Sequence, residues 1–301
     1  MRFAFELPTF RVDRPDEFVT GEAVAEIARG AQACGFQGLH VSDHPAPDAR
    51  WLDHHGGHHA LDPFVALSFA AAATTSLKLM TNIYVAAYRN PFLGAKSILS
   101  LDLLSGGRLI VGTGVGYLKP EFDALGVDYS RRGAIFDDAL DVIVRSLSGD
   151  DVQAEGTTYR ARGVRMRPSP ISRPHPAIWI GGNSKAALRR AVERFQGWAP
   201  FDTMSVGLPP GAAAISTVSD IEAGMAWART HSAKVGRTEP LDVCLSIDGL
   251  LESCASDDER QDLVGRLERA GVTWMAIRAT GEDRKEVIDR MRAFSAVFIP
   301  Q

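Results

Sequence analysis

The chain of 301 residues has little cysteine, no excess of positive charge and no long apolar run, and each shortage closes a class of function. Cys34, Cys244 and Cys254 are an odd number spaced far apart, and two of them stand among apolar neighbours, so no disulfide framework is expected. A formal net charge of −4, with arginines scattered rather than clustered, argues against a nucleic-acid footprint. No stretch reaches the roughly 18 apolar residues of a membrane span. Residues 1–8 read as a strand rather than a secretory leader, and a cytoplasmic location is expected. G-x-S-x-G, P-loop and C-x-x-C patterns are missing, which removes the signatures of serine hydrolases, P-loop NTPases and dithiol chemistry. No Pro/Ser/Gly-rich linker divides the sequence, so one domain is expected over 1–301.

What is present is an alternation. Short β-branched or aromatic runs fall at 2–7, 38–42, 77–85, 108–112, 177–180, 197–200, 241–247 and 273–278. Helical patterns begin between them near Pro15, Pro63, Pro91, Ser130, Ser184, Ser219, Ser256 and Glu282, several with an early proline or a capping residue. Eight such units fit an α/β fold of the (β/α)8 TIM-barrel type better than an open doubly wound sheet, and they place an active site at the strand C-terminal ends. Two stretches interrupt the pattern. Residues 45–61 follow strand two and carry Trp51 and four histidines, and residues 151–171, between helix four and strand five, read as a hairpin plus an extended segment. The first is expected to cover the barrel mouth, and the two together to form a lid or a subunit contact.

The strand ends hold the candidate chemistry. Strand two runs into Ser42-Asp43-His44-Pro45. His44 is the first candidate for proton transfer, because an imidazole takes or gives a proton near neutral pH. Asp43 can hold that ring, bind a cofactor group, or simply cap the turn before Pro45. Thr81 and Asn82 are polar inside an apolar strand and need partners, either a ligand or a polar barrel layer. Gly112-Thr113-Gly114-Val115-Gly116 lets a flat ring approach the backbone, although its spacing is not that of a Rossmann fingerprint. Gly181-Gly182-Asn183-Ser184, between a strand and a helix, can cradle a phosphate or make only a tight turn. Trp198, beside Pro200-Phe201, can touch a ligand, whereas Trp179 and Trp274 read as core. The histidines from His54 to His59 sit on one glycine-containing loop without rigid ligand spacing, so no metal is expected and contact with a substrate is favoured over a metal hydrolase.

In combined order, Ser42-Asp43-His44, Arg89-Asn90-Pro91, Leu101-Asp102-Leu103-Leu104-Ser105-Gly106-Gly107-Arg108, Gly112-Thr113-Gly114-Val115-Gly116, Glu121-Phe122, Arg131-Arg132, Ile180-Gly181-Gly182-Asn183-Ser184 and Gly197-Trp198 make the chain resemble the bacterial luciferase-like monooxygenase superfamily. Within it, the likeness is to coenzyme F420-dependent oxidoreductases. The resemblance implies a deazaflavin at the strand ends, its tail at Gly181, Gly182, Asn183 and Ser184 and its ring near Asp43, Thr81, Asn82, Ile83, Gly112 and Gly114. It also implies a non-proline cis peptide at Asn82-Ile83 behind the ring, and a homodimer. The reaction it implies is hydride transfer to or from a small organic substrate under loop 45–61, lined by Trp51, Tyr117 and Trp198, with His44 as proton donor or acceptor. Flavin mononucleotide (FMN) relatives share the barrel and the phosphate turn, so an FMN-dependent monooxygenase is the alternative, and a non-catalytic flavin- or deazaflavin-binding protein a second. Tyr117 stands where sugar-phosphate dehydrogenases of this family look to have a glutamate, which argues against that substrate; nearby Glu121 reads as a helix-start charge or a salt bridge.

Overall fold

The computed structural model describes residues 1–206 and 213–299. Strands β1 (Arg2–Glu6), β2 (Gly38–Val41), β3 (Lys78–Val85) and β4 (Leu109–Gly114) pair in parallel. Strands β5 (Val152–Glu155) and β6 (Arg160–Val164) form a separate antiparallel hairpin. The barrel then resumes with β7 (Ala177–Gly181), β8 (Gly197–Ala199), β9 (Asp242–Ser246) and β10 (Trp274–Ile277), and β10 closes on β1. The result is the eight-stranded (β/α)8 barrel that the alternation predicts, with each strand within a few residues of its expected place.

The helices depart from expectation mainly at their starts. Pro15 opens only a single turn, α1 (Pro15–Phe18), and the first crossing is made by α2 (Gly21–Ala33), capped by Thr20. A short helix α3 (Ala49–His54) lies in the loop after β2, followed by α4 (Pro63–Ala73), α5 (Pro91–Leu104), α6 (Lys119–Ala124) and α7 (Arg132–Leu147). Ser130 falls in a 3-10 turn ahead of α7 rather than at its cap. Then come α8 (Lys185–Arg194), α9 (Thr203–Val206), α10 (Val218–Val235), α11 (Asp248–Glu252), α12 (Asp257–Ala270) and α13 (Arg284–Phe298). The caps of α10 and α13 are Thr217 and Asp283, one or two residues from the expected positions, because their side-chain oxygens reach the N–H groups of Asp220 and Glu286.

Inside the barrel Ala4, Met80, Ile110, Trp179, Ala199, Cys244, Trp274 and Ala276 pack together, with buried His40 in register with Met80 and Ile110. Trp179 and Trp274 meet edge to face at 5.7 Å, as core residues. A larger apolar layer fills the space between strands and helices. The two insertions take different positions: the hairpin lies outside the barrel, with Arg145 of α7 donating to Gln153 O and Tyr159 against Phe92 of α5. Loop 45–61 turns over the mouth, where Trp51 meets His44. Among the described residues no helix is long and apolar enough to cross a membrane.

Candidate active site at the barrel mouth

The two sides of the mouth are built differently. On the side of β3, β4 and β7 the wall is made by glycine. A Cβ on Gly112 would lie 2.1 Å from the Thr81 carbonyl oxygen, one on Gly114 2.3 Å from the Ile83 side chain, and one on Gly181 2.8 Å from the same side chain. Gly114 and Gly181 therefore make room for Ile83, and Gly112 for the close approach of the β3 backbone. Asn82-Ile83 is a cis peptide, as the resemblance implies, and the β3–β4 register shifts between Thr81 and Tyr84. Thr81 does not face a ligand: it is 1% exposed and its hydroxyl donates to Gly112 O, fastening β3 to β4. Asn82 Nδ2 donates across the barrel to Ser246 Oγ at 3.2 Å.

The turn after β7 is held from below. Gly182 has φ 109°, a backbone conformation that glycine tolerates. Asn183 is buried, with its amide donating to Phe201 O and Ala213 O and accepting from Phe201 N–H. Its side chain is thus spent on the neighbouring loop. Ser184 caps α8, accepting from Ala187 N–H. The N–H groups of Lys185 and Ala186, in the first helical turn, have no intrahelical acceptor, which leaves backbone donors and the positive dipole end at the rim. Trp198, expected at the ligand, is instead core: it is 2% exposed, and its indole N–H donates to Gly182 O. It braces the turn from the helix side of the barrel.

On the side of β2 the wall is made by charged and aromatic side chains. Asp43 does not hold His44. Arg89 grips both its oxygens at 2.6 and 2.8 Å and Val85 N–H donates to it, so this carboxylate ties the end of β3 to the end of β2. The partner of His44 is Glu121 of α6, whose Oε2 lies 3.2 Å from His44 Nδ1. Glu121 is fully buried and also accepts from the Tyr88 hydroxyl and from Ala46 N–H. A carboxyl on which donors converge in this way orients the imidazole and leaves Nε2 as its other proton-exchanging atom. Glu121 is thus both the helix-start charge and the salt-bridge residue that its sequence position suggests, and its partner is His44. The legible signal is its place in the helix that follows the glycine-rich end of β4, which aims it at the mouth.

Loop 45–61 packs its rings on His44. Trp51 lies 4.6 Å away, His58 4.9 Å and Tyr117 6.2 Å, between ring centroids. His58 Nε2 pairs with Ser42 Oγ at 3.1 Å, and burial, reinforced by His44, pushes its imidazole down to about 4. Burial likewise pushes the Tyr117 phenol up to about 12. Only His58 of the loop histidines is turned inward in this way, while His54, His55 and His59 are exposed. Among the described residues no three His, Cys, Asp or Glu side chains are gathered as a metal site. Further round the mouth, Glu6 pairs with Arg278. Burial raises the Glu6 carboxyl, but Arg278 and the nearby histidines outweigh it and the net shift is downward.

A profile of the luciferase-like monooxygenases matches residues 1–297. The chain belongs to that family. A curated relative, an uncharacterized protein of Mycobacterium tuberculosis (strain ATCC 25618 / H37Rv), is 28% identical over 262 residues, covering 82% of this chain and 81% of the relative. The fold is shared with the coenzyme F420-dependent tetrahydromethanopterin reductase of Methanopyrus kandleri, at a TM-score of 0.70 and 19% identity over 99% of this chain and 98% of that one. It is shared equally with a type II Baeyer–Villiger monooxygenase in complex with FMN, the oxygenating constituent of 3,6-diketocamphane monooxygenase of Pseudomonas putida. There the TM-score is 0.78 at 14% identity, over 100% of this chain and 98% of that one. Luciferase-like oxidoreductases of both cofactor types therefore surround this chain.

Proposed function

We propose that the chain is a coenzyme F420-dependent oxidoreductase that moves a hydride between the deazaflavin and a small organic substrate under loop 45–61. The observation that carries the proposal is the His44–Glu121 pair at 3.2 Å, a proton-exchanging imidazole held at the mouth by a buried carboxyl. When bound, the deazaflavin supplies the hydride. The residues present fit such a group. The first turn of α8 offers backbone N–H groups to an anionic tail, and Ile83, backed by Gly112, Gly114 and Gly181, offers an apolar surface to a flat ring. Glu121 holds the imidazole through Nδ1, and His44 Nε2 takes or delivers the proton that accompanies reduction or oxidation of the substrate.

The test is titration of the purified protein with F420 and with FMN, followed by fluorescence. Saturable binding of F420 is expected, and replacing His44 by Ala should lower turnover by about 10² to 10⁴-fold while leaving cofactor binding intact. Tight binding of FMN alone would assign the chain to the FMN-dependent monooxygenases instead. Failure of the reduced cofactor to reduce any enone or imine points to a cofactor-binding protein without chemistry. Undiminished turnover in the His44 variant removes its role. The reading includes a homodimer, supported by Val65 and Phe69 on α4 and Leu93 on α5, which expose large apolar side chains on neighbouring helices. A monomeric mass in solution at micromolar concentration refutes the dimer.

A further inference from the structure

We infer that Tyr88 is a positioning residue for proton transfer at His44: its hydroxyl fixes the Glu121 carboxylate and so sets the pH at which the imidazole exchanges its proton. This role rests on the reading of His44 as the proton-exchanging group, and it adds the residue that tunes it. Tyr88 closes a 3-10 turn, Ala86–Tyr88, directly after β3. Asp43 pins that turn on both sides, accepting from Val85 N–H before it and from the Arg89 guanidinium after it. The phenol reaches α6, where its ring meets Phe122 edge to face at 4.8 Å and its hydroxyl donates to Glu121 Oε2 at 3.0 Å. That is the oxygen lying 3.2 Å from His44 Nδ1, while Oε1 takes Ala46 N–H at 3.2 Å.

Two other buried carboxylates at the mouth are answered by guanidinium groups, Asp43 by Arg89 and Glu6 by Arg278. Glu121 is fully buried, and among the described residues no lysine or arginine pairs with it. Its charge is therefore carried by neutral donors and by His44. A carboxylate only accepts hydrogen bonds, so Tyr88 must donate. Burial, and then the carboxylate beside it, pushes the Tyr88 phenol far above its usual range, which keeps the hydroxyl a donor. Without that hydroxyl the carboxylate leans harder on the imidazole, and the pair holds its shared proton to higher pH. The other groups facing the pair leave this unchanged near neutral pH. His58 and Tyr117 carry no charge there, and Asp43 is engaged by Arg89. Lys119 and Asp123, on α6 itself, pair with each other at the surface.

The test follows the His44 ring by NMR during a pH titration of the full chain, alongside the pH profile of turnover with F420. In Tyr88→Phe, which keeps the ring, the His44 titration and the flank of the profile should both move up by about one pH unit, about tenfold in rate on that flank. The plateau rate and F420 affinity should stay the same. In a Glu121→Gln background the substitution should shift the titration no further, because Tyr88 acts through the carboxylate charge. Tyr129→Phe is the control: its ring also packs on Phe122, but its hydroxyl donates to Tyr117 O, and the His44 titration should not move. An unmoved His44 titration in Tyr88→Phe, the same shift with and without Glu121→Gln, or an equal shift in the control overturns the inference. Failure of F420 to bind, or turnover indifferent to His44, with the NMR shift and its dependence on Glu121 retained, would overturn the proposed reaction and leave the control of His44 by Tyr88 standing.

Discussion

The glycine side and the acid–base side of the mouth solve the same problem by opposite means. On the first, Gly114 and Gly181 withhold side chains so that one residue, Ile83, can fill the surface on which a flat group would rest, and Gly112 lets the Thr81 carbonyl oxygen come close. On the second, residues distant in sequence send side chains inward: Glu121 from α6 reaches His44, and Arg89 reaches Asp43. The glycine side is intolerant of addition because its neighbours are backbone or a packed branched side chain. The acid–base side is intolerant of removal, because each buried polar group satisfies another.

The largest expected effect lies on the acid–base side. Replacing Glu121 by Gln keeps the volume and one carbonyl acceptor but removes the charge that orients the imidazole through Nδ1. Turnover should fall by about 10 to 10²-fold, in line with the loss of a hydrogen-bonded partner behind a proton-transfer group. Binding of the cofactor, measured by fluorescence, should stay unchanged. Glu121→Ala goes further, stranding the Tyr88 hydroxyl and Ala46 N–H in the interior, and should cost about 1–3 kcal/mol of stability in addition. Equal turnover in the Glu121→Gln variant and the wild type breaks the comparison, since the pair would then be a structural contact like Asp43–Arg89.

The two sides also differ in how far the sequence discloses them. The strands, and the turn from β7 into α8, depend on local patterns: β-branched runs, an apolar strand broken by two glycines, and a serine three residues before the N–H it caps. Those are legible within a few residues. The partner of His44 is not, because Asp43 sits next to it in sequence while Glu121 is 77 residues away. Adjacent residues at a strand end point to opposite sides, so Asp43 turns toward Arg89 and cannot share a bond with the ring beside it. Trp198 misleads for a related reason. Its neighbours Pro200 and Phe201 suggest the mouth, but the alternation of β8 sends its ring outward to Gly224 of α10. The acceptors of Asn183 likewise come from a loop that no local motif announces.

A second substitution tests the glycine side by double mutation. Gly114→Ala places a methyl group where the Ile83 side chain already lies, and should cost about 1–3 kcal/mol of stability, the usual penalty of overpacking. If Ile83 is the reason, adding Ile83→Ala should return part of that stability, with a coupling of about 0.5–3 kcal/mol between the two sites. Thermal unfolding of the two single variants and the double variant measures it. Additive losses would mean that the glycines serve the backbone alone. Gly112→Ala is the control, because its obstacle is the Thr81 carbonyl oxygen, and trimming Ile83 should not rescue it.

The smallest effect expected is in the pH dependence of the loop. Burial, with His44 beside it, holds His58 near 4, below the ordinary imidazole value of 6.5. The unfolded chain therefore binds a proton at this residue that the folded chain refuses, and stability falls as pH drops from about 6.5 to about 4, changing no further below that. Asp248 works against it, since its raised carboxyl gives back stability as pH falls through about 6 toward 3.8. Comparing the wild type with His58→Asn isolates the histidine. The variant's melting temperature should decline less steeply between pH 6.5 and 4, with a gain of about 1–3 °C relative to wild type near pH 5 once the difference above pH 7 is subtracted. Parallel curves across that window would show His58 exchanging protons freely with solvent, and the loop would then not be packed over His44 as the ring contacts require.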